Sequence, residues 1–356
     1  MTNRENVLRA LRRDNPERVP FDFVLCPSHA DNFEKKTGTR DYQEYFGFPF
    51  RYVDLEPSCQ APDLHRRYYK NLPANYQRLS WNPEWGVYSI PGQFEHFEQM
   101  LHPMAGLESA DEIDDYPFPD FNESYRWKGF NEKVSAIKNA DLIAVVFMQM
   151  TIFEVAWYMR GMDNLMTDMM ADREFAEKLF EKITCLRIGM AEKYARSGID
   201  ILMLGDDVST QQEMMISPAL WQELLKPRLA RVIRAAKSIK PDLLVFYHGD
   251  GNLQKIIPDL IEIGVDILNP VQPECMDPVT VKKLYGDRLS FWGTIGTQTV
   301  MPFGKPSEVS SMVKKMIKEV GAGGGLLVAP THTIEPEVPW ENIEAFIEAV
   351  KQYGEY

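Results

Sequence analysis

The chain has 356 residues, of which 44% are hydrophobic and 26% are charged, so a large folded core is expected and extensive disorder is excluded. A formal net charge of −13 makes nucleic acids and anionic membrane surfaces poor partners, because they are negatively charged as well. The 4 cysteines are widely spaced and no long uninterrupted apolar run occurs, which argues against a disulfide scaffold and a membrane span.

The first residues predict a helix and then a strand. Thr2 and Glu5 have the spacing of a capping box, the apolar residues of 2–13 fall on one face, and Pro16 ends the helix. The segment "VPFDFVL" (19–25) is rich in β-branched and aromatic residues, which is typical of a strand. No apolar leader is visible before it, so we expect no signal peptide and, with so few cysteines, a cytoplasmic protein.

Residues 27–130 have no regular period and are rich in aromatic residues, prolines and charges. Two runs, 85–90 and 94–100, predict a hairpin that turns at Pro91-Gly92. We interpret this region as insertions over one face of the fold, and not as a separate domain.

From residue 141 onward, apolar strands alternate with helical segments. The predicted strands are 142–148, 200–204, 243–247, 265–269, 289–293 and 325–329. Helices are predicted in 149–196, 218–238, 252–264, 278–284, 307–320 and 340–352. Continuous apolar strands indicate burial on both faces and therefore parallel pairing. The pattern predicts an α/β fold in which residues 1–356 form a single, distorted (β/α)8 TIM-type barrel, with the N-terminal insertions over its mouth.

Polar residues follow several of the predicted strands, where barrels of this class carry their catalytic groups. His248, His332 and Asp206 each follow a different strand. Imidazole and carboxylate ligands from separate strands predict a metal site, with Asp250, Cys275 or Asp206 completing the set. Zinc takes such nitrogen, oxygen and sulfur ligands and leaves one position open in catalytic sites.

Each of these residues also has a structural interpretation. The histidines can hydrogen-bond loop carbonyls, and Asp206 with Asp207 can form a helix-capping turn. Asp250 fits a tight turn or the N-cap of a helix starting near Asn252. Cys275 can be a free thiol in a loop.

A second group of candidates follows the predicted strand 142–148, with Asp206 added from the end of the next strand. The predicted substrate-binding residues are Gln149, Phe153, Trp157, Arg160 and Asp206. The aromatic members fit either the wall of a flat apolar cavity or the protein core. Arg160 can orient an anionic substituent of a substrate or pair with Glu154 or Asp206.

Several blocks of the chain, in order, resemble the uroporphyrinogen decarboxylase superfamily. The resemblance covers nearly the whole chain and is strongest from 141 to 350. Among the blocks are "LMLGDDVSTQQEMMISPALWQELLKPR", "FYHGDGNLQKIIPDLIEIGVDILNPVQ" and "GGLLVAPTHTIEPEVPWENIEAF". The resemblance implies a distorted TIM barrel.

The superfamily has two main branches, which this sequence fits unequally. The haem-pathway decarboxylases carry an arginine-rich RQAGRY block after the first strand, whereas "FDFVLCPSHADNFEKKTG" here contains no arginine. The cobalamin-dependent methyltransferases that methylate thiols hold zinc through an HxC pattern and a late cysteine. His248 matches the histidine, but Asp250 and His332 stand where cysteines are expected. Harder ligands favour an ether or amine donor over a thiol acceptor.

The resemblance thus implies a zinc-dependent methyltransferase that moves a methyl group from a small O- or N-methyl donor, as in O-demethylation, to cobalamin on a corrinoid partner protein. His248 and Asp206 are the catalytic candidates. One alternative is uroporphyrinogen decarboxylase, a carboxy-lyase without metal in which Asp206 would hold the pyrrole. The other is a non-catalytic ligand-binding barrel. A homodimer is expected from the resemblance alone.

Overall fold

The strands and helices follow the alternating pattern expected for a barrel. The protein is represented by a computed structural model that describes residues 1–61, 63–91 and 98–356. Within these ranges the strands are β1 (Phe50–Tyr52), β2 (Ser80–Asn82), β3 (Val87–Pro91), β4 (Glu98–Leu101), β5 (Ile143–Phe147), β6 (Ile201–Gly205), β7 (Leu244–His248), β8 (Ile267–Asn269), β9 (Ser290–Ile295) and β10 (Leu326–Pro330). The helices are α1 (Asn3–Arg12), α2 (Pro27–Thr37), α3 (Tyr42–Tyr45), α4 (Asp63–Arg66), α5 (Phe130–Asn139), α6 (Phe153–Arg160), α7 (Met162–Ala171), α8 (Arg173–Arg196), α9 (Pro218–Leu224), α10 (Lys226–Ile239), α11 (Ile257–Glu262), α12 (Pro278–Tyr285), α13 (Val300–Phe303), α14 (Pro306–Glu319) and α15 (Trp340–Tyr353).

Seven strands form one curled parallel sheet in the order β1-β5-β6-β7-β8-β9-β10. Their side chains are almost all buried, as expected for strands covered on both faces. The six strands predicted after residue 141 are all present. The predicted distorted TIM-type barrel is therefore confirmed, and the carboxyl ends of the strands meet at one face.

The first barrel position is occupied by the segment predicted as a strand at 19–25. It is not a continuous strand, because it meets the sheet only through single parallel bridges from Phe21 to Val328 and from Leu25 to Ile334. Pro20 within the segment has no N–H to donate to a ladder. The segment nevertheless lies along β10 and gives the sheet its eighth position.

Aromatic packing connects this first segment to β1, at the other edge of the sheet. The rings of Phe21 and Phe23 lie 5.4 Å and 4.9 Å from that of Phe48, both edge to face. Phe48 is itself 5.9 Å from Phe50 in β1. Side-chain contacts therefore join the two edges where the ladder is incomplete.

The N-terminal region is more regular than predicted. β1 is a barrel strand within 27–130, so this region does not consist of insertions alone, and three residues are too few to show a strand pattern in the sequence. The predicted hairpin is present as antiparallel β3 and β4, with Tyr88 opposite Leu101, and β2 adds a third strand. Residues 92–97, which include the Gly92 turn, lie outside the described residues.

Two predicted helices are shorter or divided. The helix predicted at 218–238 is two helices, α9 and α10, which meet at Leu225, where Pro227 in the first turn of α10 supplies no N–H. The helix predicted at 252–264 begins only at Ile257. In the described part of the chain, no helix is both long enough and apolar enough to cross a bilayer.

Candidate metal site at the carboxyl ends of the strands

His248 is the last residue of β7 and lies between two neighbouring strand ends. It is opposite Gly205 of β6 on one side and Asn269 of β8 on the other. A Cβ atom on Gly205 would lie 2.4 Å from the carbonyl oxygen of His248, so only glycine allows this close approach. The imidazole is therefore held at the mouth of the barrel by the register of three strands.

Asn269 determines which nitrogen of His248 carries the proton. The Nδ2 atom of Asn269 donates to the carbonyl oxygen of Trp292 at 2.8 Å, so its Oδ1 atom faces His248. Because that oxygen can only accept, the Nδ1 atom of His248, 2.5 Å away, must be the donor. In the neutral ring the Nε2 atom then presents a lone pair, which is the arrangement of a metal-ligating histidine.

Two carboxylates face this Nε2 atom. It lies 3.7 Å from Oδ1 of Asp207 and 3.8 Å from Oδ1 of Asp250. One ligand atom from each of the three residues lies within 4.8 Å of the others. Tetrahedral zinc ligands at about 2.0–2.1 Å from the metal lie roughly 3.4 Å apart. The three groups are thus spaced for one small cation.

The glycine-rich turn after β7 positions Asp250. Gly251 has φ +84°, and a Cβ there would lie 2.3 Å from the carbonyl oxygen of Thr210. Ser209 Oγ donates to the carbonyl oxygen of Asp250, and the Asp250 N–H donates to Asp207 Oδ1, both at 2.8 Å. Asp250 is not the N-cap of the next helix, because α11 is preceded by Ile256 in the cap position.

His332 and Cys275 lie further out than these three residues. The Nε2 atom of His332 is 4.0 Å from Oδ2 of Asp250, and its side chain is 54% exposed. Cys275 is half-buried, and burial together with the nearby Glu274 and Asp250 raises the pKa of its thiol. Neither belongs to the group of three, so their predicted role as ligands stays a prediction.

The Asp206 carboxylate binds backbone N–H groups and does not line the cavity. Its carboxylate accepts hydrogen bonds from the N–H groups of Ile152 and Glu154 at 3.0–3.1 Å, at the N-terminus of α6. Burial raises its pKa to about 7 although these hydrogen bonds oppose the shift. The geometry is that of a helix cap formed between residues that lie 52 and 54 positions apart in the sequence, and Asp207 is the member of the pair that faces His248.

Glu154 links α6 to the candidate ligand Asp207. Its Oε2 atom accepts the N–H of Asp207 at 3.0 Å, and its Oε1 atom accepts the Tyr158 hydroxyl at 3.4 Å. Burial, with the nearby Asp206 and Asp207, raises the pKa of Glu154 to about 9. Burial and the two neighbouring carboxylates therefore favour the neutral form of Glu154, and its hydrogen bond positions the Asp207 backbone.

Arg160 has a buried partner that the sequence did not suggest. It forms two hydrogen bonds with Asp168, at 2.7 Å and 3.2 Å, and donates to the carbonyl oxygens of Met104 and Leu107. Its guanidinium lies 3.9 Å from the ring centre of Phe175. Of the two alternatives for Arg160, pairing with Glu154 or Asp206 is wrong, and a role in substrate binding stays a prediction.

The other predicted substrate contacts are divided between cavity and core. Gln149 lines a cavity of about 310 Å³ at the barrel mouth, together with His248 and His332. Phe153 is fully buried in the core, and Trp157 packs edge to face against Tyr158. Among the described residues that line the cavity there is no lysine or arginine.

Sequence reasoning missed three residues of this region. Asp207 was considered only as part of a capping turn, Asn269 was passed over, and Asp22 was counted as a strand residue although it lines the cavity. Asp22 is the only polar residue in the segment 19–25, but nothing in that segment indicated that it faces the cavity. No local pattern could have shown the bond between Asn269 and His248, because they belong to different strands.

Comparison with known proteins agrees with this architecture. The family model described as "Uroporphyrinogen decarboxylase (URO-D)" matches residues 104–353, which is more than half of the chain. The chain belongs to the uroporphyrinogen decarboxylase family. The match includes the strands that carry His248, Asn269 and the candidate carboxylates.

Curated relatives of this family member fall into two groups. A methylcobamide:CoM methyltransferase MtaA from Methanosarcina barkeri is 25% identical over 55% of this chain and 57% of its own length. A methylated-thiol–coenzyme M methyltransferase from Methanosarcina mazei is 25% identical over 56% and 51%. A uroporphyrinogen decarboxylase from Coxiella burnetii is 24% identical over 49% and 47%. The chain spans about half the length of the curated relatives it matches.

A solved structure extends the likeness to the whole chain. A methyltransferase from Methanosarcina mazei superposes with a TM-score of 0.69 over 99% of both chains, at 16% sequence identity. This likeness shows that the two chains share a fold.

Proposed function

We propose that this member of the uroporphyrinogen decarboxylase family is a zinc-dependent methyltransferase that moves a methyl group from a small O- or N-methyl donor to a corrinoid protein. The observation that carries the proposal is the group of Asp207, His248 and Asp250, of which His248 also lines the cavity at the barrel mouth. The methyltransferases among the curated relatives support the same reaction class.

The residues present fit a bound zinc ion. His248 offers a lone pair at Nε2 because Asn269 holds the proton on Nδ1. Asp207 and Asp250 would add two oxygen ligands. The Nε2 atom of His332 lies 4.0 Å from Oδ2 of Asp250. Zinc at such a site acts as a Lewis acid that polarises a substrate heteroatom and stabilises a departing group.

The ligand types favour particular donors. Sulfur ligands suit a soft thiolate substrate, whereas nitrogen and oxygen ligands suit an ether or amine. Asp250 is partly buried, and this burial raises the pKa of its carboxyl group. Asp207 is positioned by the Asp250 N–H and, through its own N–H, by Glu154. These contacts orient the carboxylates toward His248 before a donor binds.

The decarboxylase alternative is less well supported. Uroporphyrinogen carries eight carboxylates and needs cationic recognition. The cavity lining in the described residues has no lysine or arginine, and the Asp206 carboxylate is occupied by backbone N–H groups. A binding protein without catalysis would need no free imidazole nitrogen between two carboxylates.

Incubation of the zinc-loaded protein with free cob(I)alamin and a panel of methoxyaromatics and methylamines tests the proposal. We expect a spectral change to methylcobalamin with at least one donor, and its loss in His248→Ala and Asp207→Asn. The matched control is Asp242→Asn. Asp242 is exposed and lies just before β7, at the end of the strand away from His248. Turnover of uroporphyrinogen, or binding of donors without any methyl transfer, would overturn the proposal.

A further inference from the structure

Asp22 places a buried carboxyl group in the wall of the cavity. Its side chain belongs to the first barrel segment, is 6% exposed and lines the same cavity as His248. The indole Nε1 atom of Trp292 donates to Oδ2 of Asp22 at 3.2 Å. Trp292 also accepts, through its carbonyl oxygen, the hydrogen bond from Asn269. One residue thus contacts both Asp22 and the residue that orients His248.

In the described part of the chain no lysine or arginine forms an ion pair with the Asp22 carboxylate, and none lines the cavity. Burial raises its pKa to about 7, although the bonds from Trp292 and the Phe23 backbone oppose the shift. A buried carboxylate without a partner is costly, so a positively charged ligand would be stabilised beside it.

Part of the remaining wall is aromatic and suits an organic cation. Tyr52, Phe147, Phe246 and Trp292 line the cavity, and the last two rings pack edge to face at 5.4 Å. Aromatic faces attract ammonium groups through their quadrupoles, most strongly where water is excluded. Phe147 is 46% exposed at the cavity mouth, so its ring is accessible to a ligand. A carboxylate within an aromatic wall is the usual composition of an ammonium-binding site.

We propose that the cavity binds a small organic ammonium cation, whose charge lies against Asp22 and the surrounding aromatic rings. The inference rests on the proposed function in one respect: the cation is taken to be part of the methyl donor, which carries its methylated heteroatom to His248. The substrate class is therefore a methylated compound with an alkylammonium group. A neutral methoxyaromatic would leave Asp22 uncompensated.

Pairs of cations and their neutral carbon isosteres test the charge requirement. Choline is compared with 3,3-dimethyl-1-butanol, and trimethylphenylammonium with tert-butylbenzene, by calorimetry or by competition between the members of a pair. We expect at least one cation to bind about tenfold more tightly than its isostere. If every isostere binds as tightly as its cation, or no cation binds, the proposal is wrong.

Asp22→Asn supplies the matched variant, since it keeps the shape of the side chain and removes the charge. We expect the preference for the cation to fall to about one in this variant, while the isostere binds as before. A preference that survives in Asp22→Asn would overturn the assignment to Asp22. If the variant does not fold, the isostere comparison in the unaltered protein still decides the proposal.

The titrations contain no corrinoid, so their outcome does not depend on methyl transfer. A protein that prefers the cations but transfers no methyl group retains this inference and loses the proposed function. A protein that transfers methyl groups only from neutral donors, without any preference for cations, retains the proposed function and loses this inference.

Discussion

The Nδ1 atom of His248 lies 2.5 Å from Oδ1 of Asn269, and this contact directs the other imidazole nitrogen toward Asp207 and Asp250. The two residues come from adjacent strands, β7 and β8, and are opposite each other in the register. The orientation of the candidate ligand is thus determined by the sheet and not by the loop that follows it.

Asn269→Leu should weaken zinc binding while His248 remains in place. Loss of the hydrogen bond to Nδ1 frees the ring to rotate and to change tautomer, and outer-shell substitutions of this kind cost about 10–100-fold in metal affinity. Competition with a chromophoric chelator measures the dissociation constant. Gln149→Ala, which changes a cavity residue outside the group of three, is the control. Equal zinc affinity in both variants would show that Asn269 does not position the ligand.

Asp206→Ala and Asp207→Asn should have different effects. The first removes the side chain that accepts two backbone N–H groups at the start of α6, so we expect a loss of about 1–2 kcal/mol of unfolding free energy with zinc affinity unchanged. The second removes a charged ligand, so zinc affinity should fall while stability changes little. Urea denaturation and zinc titration on both variants check the assignment. The reverse pattern would make Asp206 the ligand.

Arg160→Met should destabilise the fold without changing zinc binding. The substitution leaves Asp168 buried and without its two hydrogen bonds, and breaking a buried pair costs about 3–5 kcal/mol. Urea denaturation measures the loss, and the double variant with Asp168→Asn should recover part of it. If Arg160→Met keeps full stability but loses binding of an anionic substrate, Arg160 acts in the cavity after all.

Stability should depend on pH through Asp22. Its pKa is raised from 3.8 to about 7 in the folded protein, so folding takes up a proton at pH values between these two. The stabilisation that Asp22 contributes is therefore greatest below about pH 4 and is lost as the pH rises through about 7. Relative to Asp22→Asn, the unaltered protein should lose about 1 kcal/mol per pH unit between pH 5 and pH 7. A pH-independent difference between the two proteins, measured by urea denaturation, would show that Asp22 does not titrate in this way.

The strand pattern and the position of His248 were readable from the sequence, because buried parallel strands are continuous apolar runs and barrel sites follow them. The choice between Asp206 and Asp207 was not readable. Adjacent residues at a strand end point in different directions, and the direction here is decided by the backbone of 152–154, far away in the chain. Asp22 was missed for a related reason. The segment 19–25, which contains Asp22, meets the sheet only through isolated bridges. Its sequence has no regular alternation that would indicate which side chains face the cavity.

Zinc stoichiometry tests the central claim most directly. Metal analysis of the purified protein, supplied with zinc and freed of excess, should give about one zinc per chain, and His248→Ala should remove it while Asp242→Asn should not. Less than about 0.2 zinc per chain in the unaltered protein, or a content that His248→Ala leaves unchanged, would contradict a metal site at Asp207, His248 and Asp250.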